Sequence, residues 1–336
     1  MDIDHLASTA QALVAPGKGI LAADESTRTI KRRFDSINVE STEENRRDYR
    51  ELLFRTGGVA EYISGVILYD ETIRQDAADG TPLVDVLSGQ GIFPGIKVDK
   101  GTKPVPGAPD ELLTEGLDGL GERLTEYAEM GARFTKWRAV ITIGPDIPSP
   151  YCIDVNAHAL ARFAALSQQA GLVPIVEPEV LMDGDHDIDR CFDATEATLR
   201  ETFYQLGNQR VALEGILLKP NMVLSGASAA NRAGPEEVAE KTIACFKRAV
   251  PAAVPGIVFL SGGQPDEEAT VNLDAINRHA PAARAPWELS FSYGRGLQAA
   301  PLKAWSGKAG NGEAAQQAFY ERAQATGAAR RGEYAP

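Results

Sequence analysis

The run Glu214–Gly215–Ile216–Leu217–Leu218–Lys219–Pro220–Asn221–Met222 places a lysine near the C-terminal end of a short apolar stretch of strand composition. An ammonium there is costly unless it is paired, reaches water along its own stem, or is held neutral. Which of these applies depends on the ends of the other apolar runs. One ends in Asp24, another carries Lys97 and Asp99, a third has Lys136 and Arg138 flanking Trp137, and a fourth has Glu177 and Glu179 around Pro178. Side chains two apart on a strand point the same way, so amines and carboxylates interleave on one side. A lysine kept uncharged can attack a carbonyl and form a Schiff base, and such sites tune the amine to a pKa of ~7–8. Neighbouring carboxylates can move the protons that dehydrate the carbinolamine and later hydrolyse the imine. The protonated imine is an electron sink, so an adjacent C–C bond can break without a metal. Spacing does not say which of Lys97, Lys136 and Lys219 is the nucleophile.

Two further runs end differently, in Ser261–Gly262–Gly263–Gln264 and in Ser292–Tyr293–Gly294–Arg295–Gly296. Glycines let backbone amides converge on an anion, the serines add hydroxyls, and Arg295 can grip phosphate oxygens with two nitrogens. Together these groups describe a Schiff-base lyase for a sugar phosphate, and grips on opposite sides of one mouth suit a phosphate at each end. A non-catalytic barrel that merely binds sugar phosphates would not need Lys219, Glu177 and Asp24 together.

The elements that must position these groups are eight apolar, β-branched runs: Gly19–Asp24, Ile63–Tyr69, Gly95–Val98, Phe134–Ile141, Val173–Val180, Ile216–Lys219, Ile257–Leu260 and Leu289–Tyr293. Most are continuously apolar, as in strands covered by helices. Helical patterning occupies 4–14, 41–55, 111–130, 155–170, 189–206, 235–250 and 266–278. Strand–helix alternation repeated eight times predicts an α/β fold, a closed (β/α)₈ TIM barrel, in a single domain spanning 1–336. Residues 1–15 form a leading helix, and from about residue 307 a last helix and a mobile end follow. Barrels place catalytic groups at the C-terminal ends of strands and commonly bind phosphate after strands seven and eight, where the polar groups here fall.

Composition bounds the rest. The 336 residues are 43% hydrophobic, enough for a large core, and the net charge of −13 argues against nucleic acid and anionic membrane as partners. Cys152, Cys191 and Cys245 form no CxxC, the start of the chain lacks a basic-then-apolar segment, and no apolar run approaches membrane length. A cytoplasmic location is expected. Gly17–Lys18–Gly19–Ile20–Leu21–Ala22 has dinucleotide-loop spacing but precedes a strand. Asp183–Gly184–Asp185–His186–Asp187 lacks the rest of a calcium loop and is expected to be a solvated acidic loop. The four histidines are not paired at metal-ligand spacing, so no metal is expected.

The stretches GKGILAADES (17–26), ENRR (44–47), GIKVDKG (95–101), FTKWR (134–138), GLVPIVEPEVL (171–181), LLKPNM (217–222), FLSGGQ (259–264) and FSYGR (291–295) resemble class I fructose-bisphosphate aldolase, in order and along nearly the whole chain. The resemblance implies Lys219 as the Schiff-base lysine, Glu177 as the acid/base for dehydration, and Asp24 as acceptor of the C4 hydroxyl proton. It implies that Lys136 steadies the C4 oxygen and that Glu179 orients the two lysines. Ser261, Gly262, Gly263, Ser292, Gly294 and Arg295 would hold one phosphate; Ser26, Thr29, Arg33, Lys97 and Arg138 would serve the other. It also implies no cofactor, a phosphorylated sugar as substrate, and a homotetramer. Two departures stand out. Arg28 and Thr29 replace the usual Gly and Ser, which puts bulk and charge near the far phosphate. The chain ends at Tyr334–Ala335–Pro336, where animal-type members continue into a tail ending in tyrosine, so enamine protonation is expected to use another donor or to be slower.

Overall fold

All eight apolar runs become neighbouring parallel strands in the computed structural model, which describes residues 2–335. The strands are β1 (Gly19–Ala23), β2 (Ile63–Leu68), β3 (Phe93–Lys97), β4 (Thr102–Val105), β5 (Ala108–Thr114), β6 (Phe134–Ile141), β7 (Val173–Val180), β8 (Leu217–Leu218), β9 (Gly256–Phe259) and β10 (Glu288–Tyr293). Eight of them close into a barrel in the order β1-β10-β9-β8-β7-β6-β3-β2, as the (β/α)₈ expectation requires. β4 and β5 form a separate antiparallel hairpin between β3 and β6.

That hairpin corrects the helix expected over 111–130. The helix covers only Leu120–Glu129, and Ala108–Thr114 is β5. Gly116 (φ 129°) and Gly119 (φ 62°) adopt left-handed backbone between them, which no continuous helix tolerates. The hairpin is tied to the barrel by Thr114, whose hydroxyl donates to the Arg138 carbonyl (2.7 Å). The buried Glu111 accepts from the Ser149 amide (2.7 Å) at the start of helix Pro150–Gln169. Helices Thr27–Asp35 and Arg295–Trp305 lay outside the patterned segments. The first is short and charged; the second opens on Gly-Arg-Gly. Both prove central to the cavity. The last helix is Gly312–Arg330, and beyond it Tyr334 donates its amide to Asp274 (2.9 Å) and its hydroxyl to Glu267 (2.9 Å).

Two apolar layers result from strand alternation. Outward residues such as Trp137 pack against helices; its ring stacks on Phe163 at 5.7 Å. Inward residues form a second, smaller cluster of Ile20, Ala22, Ile67, Phe134, Val173, Ile175, Leu217 and Val258. Leu6, Ala10, Leu13 and Val14, from helix Ile3–Leu13 and the residue after it, join this cluster, so the leading helix seals the N-terminal end of the barrel. Along β6, β7 and β8 the inward side chains therefore change from apolar to charged: Phe134 then Lys136 and Arg138, Ile175 then Glu177 and Glu179, Leu217 then Lys219. The apolar floor holds the charged layer away from water on one side.

Among the described residues, no helix is long and apolar enough to cross a membrane. The three cysteines are buried and unpaired.

Candidate active site

Above the floor, the C-terminal ends of the strands enclose a cavity of about 1150 Å³. The residues read from strand ends (Asp24, Lys97, Lys136, Arg138, Glu177, Glu179 and Lys219), those of the two Gly-rich runs (Ser261, Gly262, Gly263, Ser292, Gly294 and Arg295) and those implied by the resemblance alone (Ser26, Thr29 and Arg33) all line it.

Lys136 and Lys219 share one carboxylate at the centre. Glu177 lies 2.9 Å from the Lys136 Nζ and 3.3 Å from the Lys219 Nζ. Lys136 also donates to Asp24 at 3.0 Å. Glu177, Lys136 and Lys219 are buried, so these ionic contacts are little screened by solvent. The two amines respond oppositely. Burial pulls the Lys219 amine below the usual lysine range; Glu177 opposes this, and the cation of Lys136 reinforces it. Burial acts on Lys136 in the same sense, but Asp24 and Glu177 overcome it and hold that ammonium above the usual range. Burial would raise Asp24, yet Lys136, Lys219 and Lys97 together hold its carboxyl well below the ordinary carboxylate range. The cluster thus contains a fixed ammonium, an ionised Asp24, and an amine biased toward the neutral form.

Around this centre the pairings differ in one respect from the expectation. Glu179 does not reach the lysines: its carboxylate accepts from the Arg138 Nε, one pleat above Glu177. Two apart on β7, the carboxylates meet different partners on β6 because β6 and β7 pair in register along their whole length. Lys97 contacts the Asp99 carboxylate (2.7 Å) and carbonyl (2.8 Å), and the Asp99 carboxylate accepts from the Gly101 and Arg138 amides. Ser26 caps helix Thr27–Asp35 and sits 3.2 Å from the Thr29 hydroxyl. Arg28, expected to crowd the far phosphate, is exposed and does not line the cavity. It lies one residue from Thr29, about 100° around the helix, so it faces away.

On the opposite wall, Gly262 (φ 58°) and Gly263 (φ 94°) turn the chain after β9 through left-handed backbone. That backbone, which side-chain-bearing residues rarely adopt, is what calls for glycine at both positions. Gly294 precedes helix Arg295–Trp305, whose N-terminus opens into the cavity with its free amides and positive dipole end. The Ser292 hydroxyl is buried, lines the cavity, and has no hydrogen-bond partner. This wall is built to take an anion.

Glu25 escaped the sequence argument. It is buried beside Asp24, pairs with Arg33 at 2.5 Å, and accepts from the buried Gln298 Nε2 at 2.8 Å. Gln298 also donates to the Ala22 carbonyl (2.7 Å), and Arg50 donates to the Glu25 carbonyl (2.8 Å). β1 ends at Ala23, so side-chain alternation does not say where residue 25 points. Arg33 thereby presents its guanidinium to the cavity from a fixed position. Among the described residues no cluster of three or more histidine, cysteine, aspartate or glutamate side chains could hold a metal ion. The Asp183–Asp187 loop is largely solvent-exposed, and Asp187 accepts from the Arg190 amide to cap helix Ile188–Asn208.

Known proteins resemble this chain throughout. Residues 5–336 match the family model described as glycolytic, fructose-bisphosphate aldolase class-I. A relative from Xanthomonas campestris, named a "probable fructose-bisphosphate aldolase class 1", is 58% identical over 99% of both chains. The cytosolic fructose-bisphosphate aldolase 4 of Arabidopsis thaliana is 54% identical over 98% of this chain and 84% of its own. Among solved structures, fructose-bisphosphate aldolase from Plasmodium falciparum, determined with TRAP and a small-molecule inhibitor, superposes with a TM-score of 0.97. It is 49% identical, over 99% of this chain and 96% of that one. With a shared-carboxylate lysine pair at the mouth of a (β/α)₈ barrel and likeness along its full length, this chain belongs to the class I fructose-bisphosphate aldolase family.

Proposed function

We propose that the chain cleaves fructose 1,6-bisphosphate reversibly to dihydroxyacetone phosphate and glyceraldehyde 3-phosphate, with Lys219 as the imine-forming amine. The observation that carries the assignment is the opposite bias of the two central lysines. Lys136 is pinned as a cation between Asp24 and Glu177, whereas Lys219 is driven toward the neutral, nucleophilic form. Lys97, tied to Asp99, is left for binding.

In this mechanism the Lys219 Nζ attacks the C2 carbonyl, and Glu177 delivers the proton with which the carbinolamine loses water. The resulting iminium accepts the electron pair of the C3–C4 bond as Asp24 takes the C4 hydroxyl proton. The aldehyde leaves and an enamine remains, which is protonated at C3 and hydrolysed. The Lys136 ammonium balances charge at the C4 oxygen as the bond breaks. Glu179 acts on Arg138 instead of on the lysines. Ser261, Gly262, Gly263, Ser292, Gly294 and Arg295 hold the phosphate next to C1, and Ser26, Thr29, Arg33, Lys97 and Arg138 hold the other. We infer a metal-independent reaction in the cytoplasm, carried out by a homotetramer.

Borohydride reduction in the presence of dihydroxyacetone phosphate is expected to leave one adduct, and mass mapping to place it on Lys219. An adduct on Lys136 or Lys97 would reverse the assignment. Cleavage is expected to continue undiminished in excess chelator; its loss would show that a metal takes part.

The Tyr334 hydroxyl engages Glu267 and does not line the cavity. Tyr334→Phe is therefore expected to keep cleavage kcat within about twofold of wild type, because an exposed hydrogen bond contributes only ~0.5–1.5 kcal/mol. A tenfold or greater fall, or a matching loss of proton exchange into dihydroxyacetone phosphate, would place Tyr334 in the reaction.

A further inference from the structure

β8 is the shortest strand of the barrel, with only Leu217 and Leu218 in the ladder, and Lys219 follows it directly. Its last regular bond to β7 is from the Lys219 amide to the Val176 carbonyl, at 2.8 Å. Beyond that point β7 loses a donor toward β8, because Pro178 has no N–H. The next β7 amide, that of Val180, is instead bound by a side chain: the Asn221 Oδ1 accepts from it at 3.0 Å. The other end of that amide group donates to the Met222 carbonyl (2.9 Å) and the Thr195 hydroxyl (3.0 Å), which anchors it to helix Ile188–Asn208. Asn221 is buried and does not line the cavity, so it has no part in holding substrate. Its side chain stands in for the missing ladder, two residues past Lys219 on one strand and one past Glu179 on the other.

We propose that Asn221 is a positioning residue that locks the end of β8 to the end of β7 and so fixes the Lys219 amine against Glu177. The assignment rests on Lys219 being the imine-forming lysine. Without the lock, the strand ends separate, water reaches the amine from the side, and the geometry of attack loosens. A misplacement of about 1 Å can cost roughly 10²-fold in rate.

The test compares Asn221→Ala with Asn156→Ala. Asn156 is equally buried but ties helix Pro150–Gln169 to the β5 carbonyl of Leu112, away from the cavity. Both variants are expected to lower Tm. Only Asn221→Ala is expected to lower kcat by roughly 10²-fold with KM for fructose 1,6-bisphosphate little changed. Its borohydride trapping with dihydroxyacetone phosphate is also expected to shift to higher pH, as the amine returns toward its ordinary basicity. The inference is overturned if kcat and the trapping profile of Asn221→Ala follow those of Asn156→Ala. Should Asn221→Ala not fold, Asn221→Ser, whose shorter side chain cannot keep both ends of the bridge, supports the same comparison. Mass mapping separates the two levels of argument. An adduct away from Lys219 defeats the proposed function, whereas an adduct on Lys219 with an unshifted profile defeats only the role of Asn221.

Discussion

Lys219→Arg is expected to reduce fructose 1,6-bisphosphate cleavage by roughly 10⁴-fold or more, the scale seen when a nucleophile is removed from an enzyme that forms a covalent intermediate. Arginine keeps a long, polar-tipped side chain, but its guanidinium stays protonated in proteins, so it cannot attack a carbonyl. Borohydride trapping should vanish with the activity. Retention of more than a hundredth of wild-type kcat would show that another amine forms the imine. Lys219→Met probes the same side chain through stability. The native amine is pulled below its unfolded value, so at neutral pH the unfolded chain binds a proton there more readily than the native one. That difference lowers stability below the native pKa and fades as pH rises to the unfolded value of about 10.4. Replacing the amine with a thioether removes the cost, so Tm of Lys219→Met is expected to exceed wild type at pH 7 and the gap to close in alkali. Melting curves at pH 7 and pH 10 decide this, and a lower Tm for the variant at both would contradict it.

Lys136→Met is expected to damage both folding and turnover. The ammonium bridges Asp24 and Glu177 in a buried site, and its loss leaves two carboxylates facing each other with Lys219 as the nearest amine. Removing one partner of a buried ion pair costs about 3–5 kcal/mol. The sign with pH follows from Asp24, which Lys136 helps hold well below the carboxylate range. Its pairing stabilises the native state above the unfolded pKa of about 3.9, and that contribution is lost as pH falls through the depressed native value. The stability gap between wild type and Lys136→Met is thus expected to be widest above pH 5 and to narrow in acid. Urea titrations at several pH values measure it, and a gap that does not vary with pH would rule out this account. For turnover, the loss of a charge aimed at the C4 oxygen is expected to lower kcat by roughly 10²–10³-fold. KM should change less, because the phosphates are held by other side chains.

The barrel was legible because its strands are continuous apolar runs ending in charge, a pattern that side-chain alternation converts directly into an inward set. Lys136 and Arg138, or Glu177 and Glu179, could be assigned to one cavity from their spacing alone. Legibility failed where the pattern did. The β4–β5 hairpin mixes charge, proline and glycine in a stretch whose leucines also fit a helix, and only the left-handed glycines after it separate the two. Glu25 lay two residues past the end of its strand, where alternation has no force. The partner of Glu179 could not be read either, since the choice between Arg138 and the lysines depends on the register of β6 against β7. No single-strand pattern records that register. Gln298 was hidden for another reason: a buried amide on a helix carries no periodic signal until the carboxylate it binds is known.

The helix Ile3–Leu13 stoppers the barrel from beneath, and this bears on traffic through the molecule. With the lower end closed by Leu6, Ala10, Leu13 and Val14, the barrel offers no passage through its base. Sugar, severed aldehyde and the water that later frees the second half therefore come and go on the same side as the charged layer. The plug turns what could have been a tunnel into a cup.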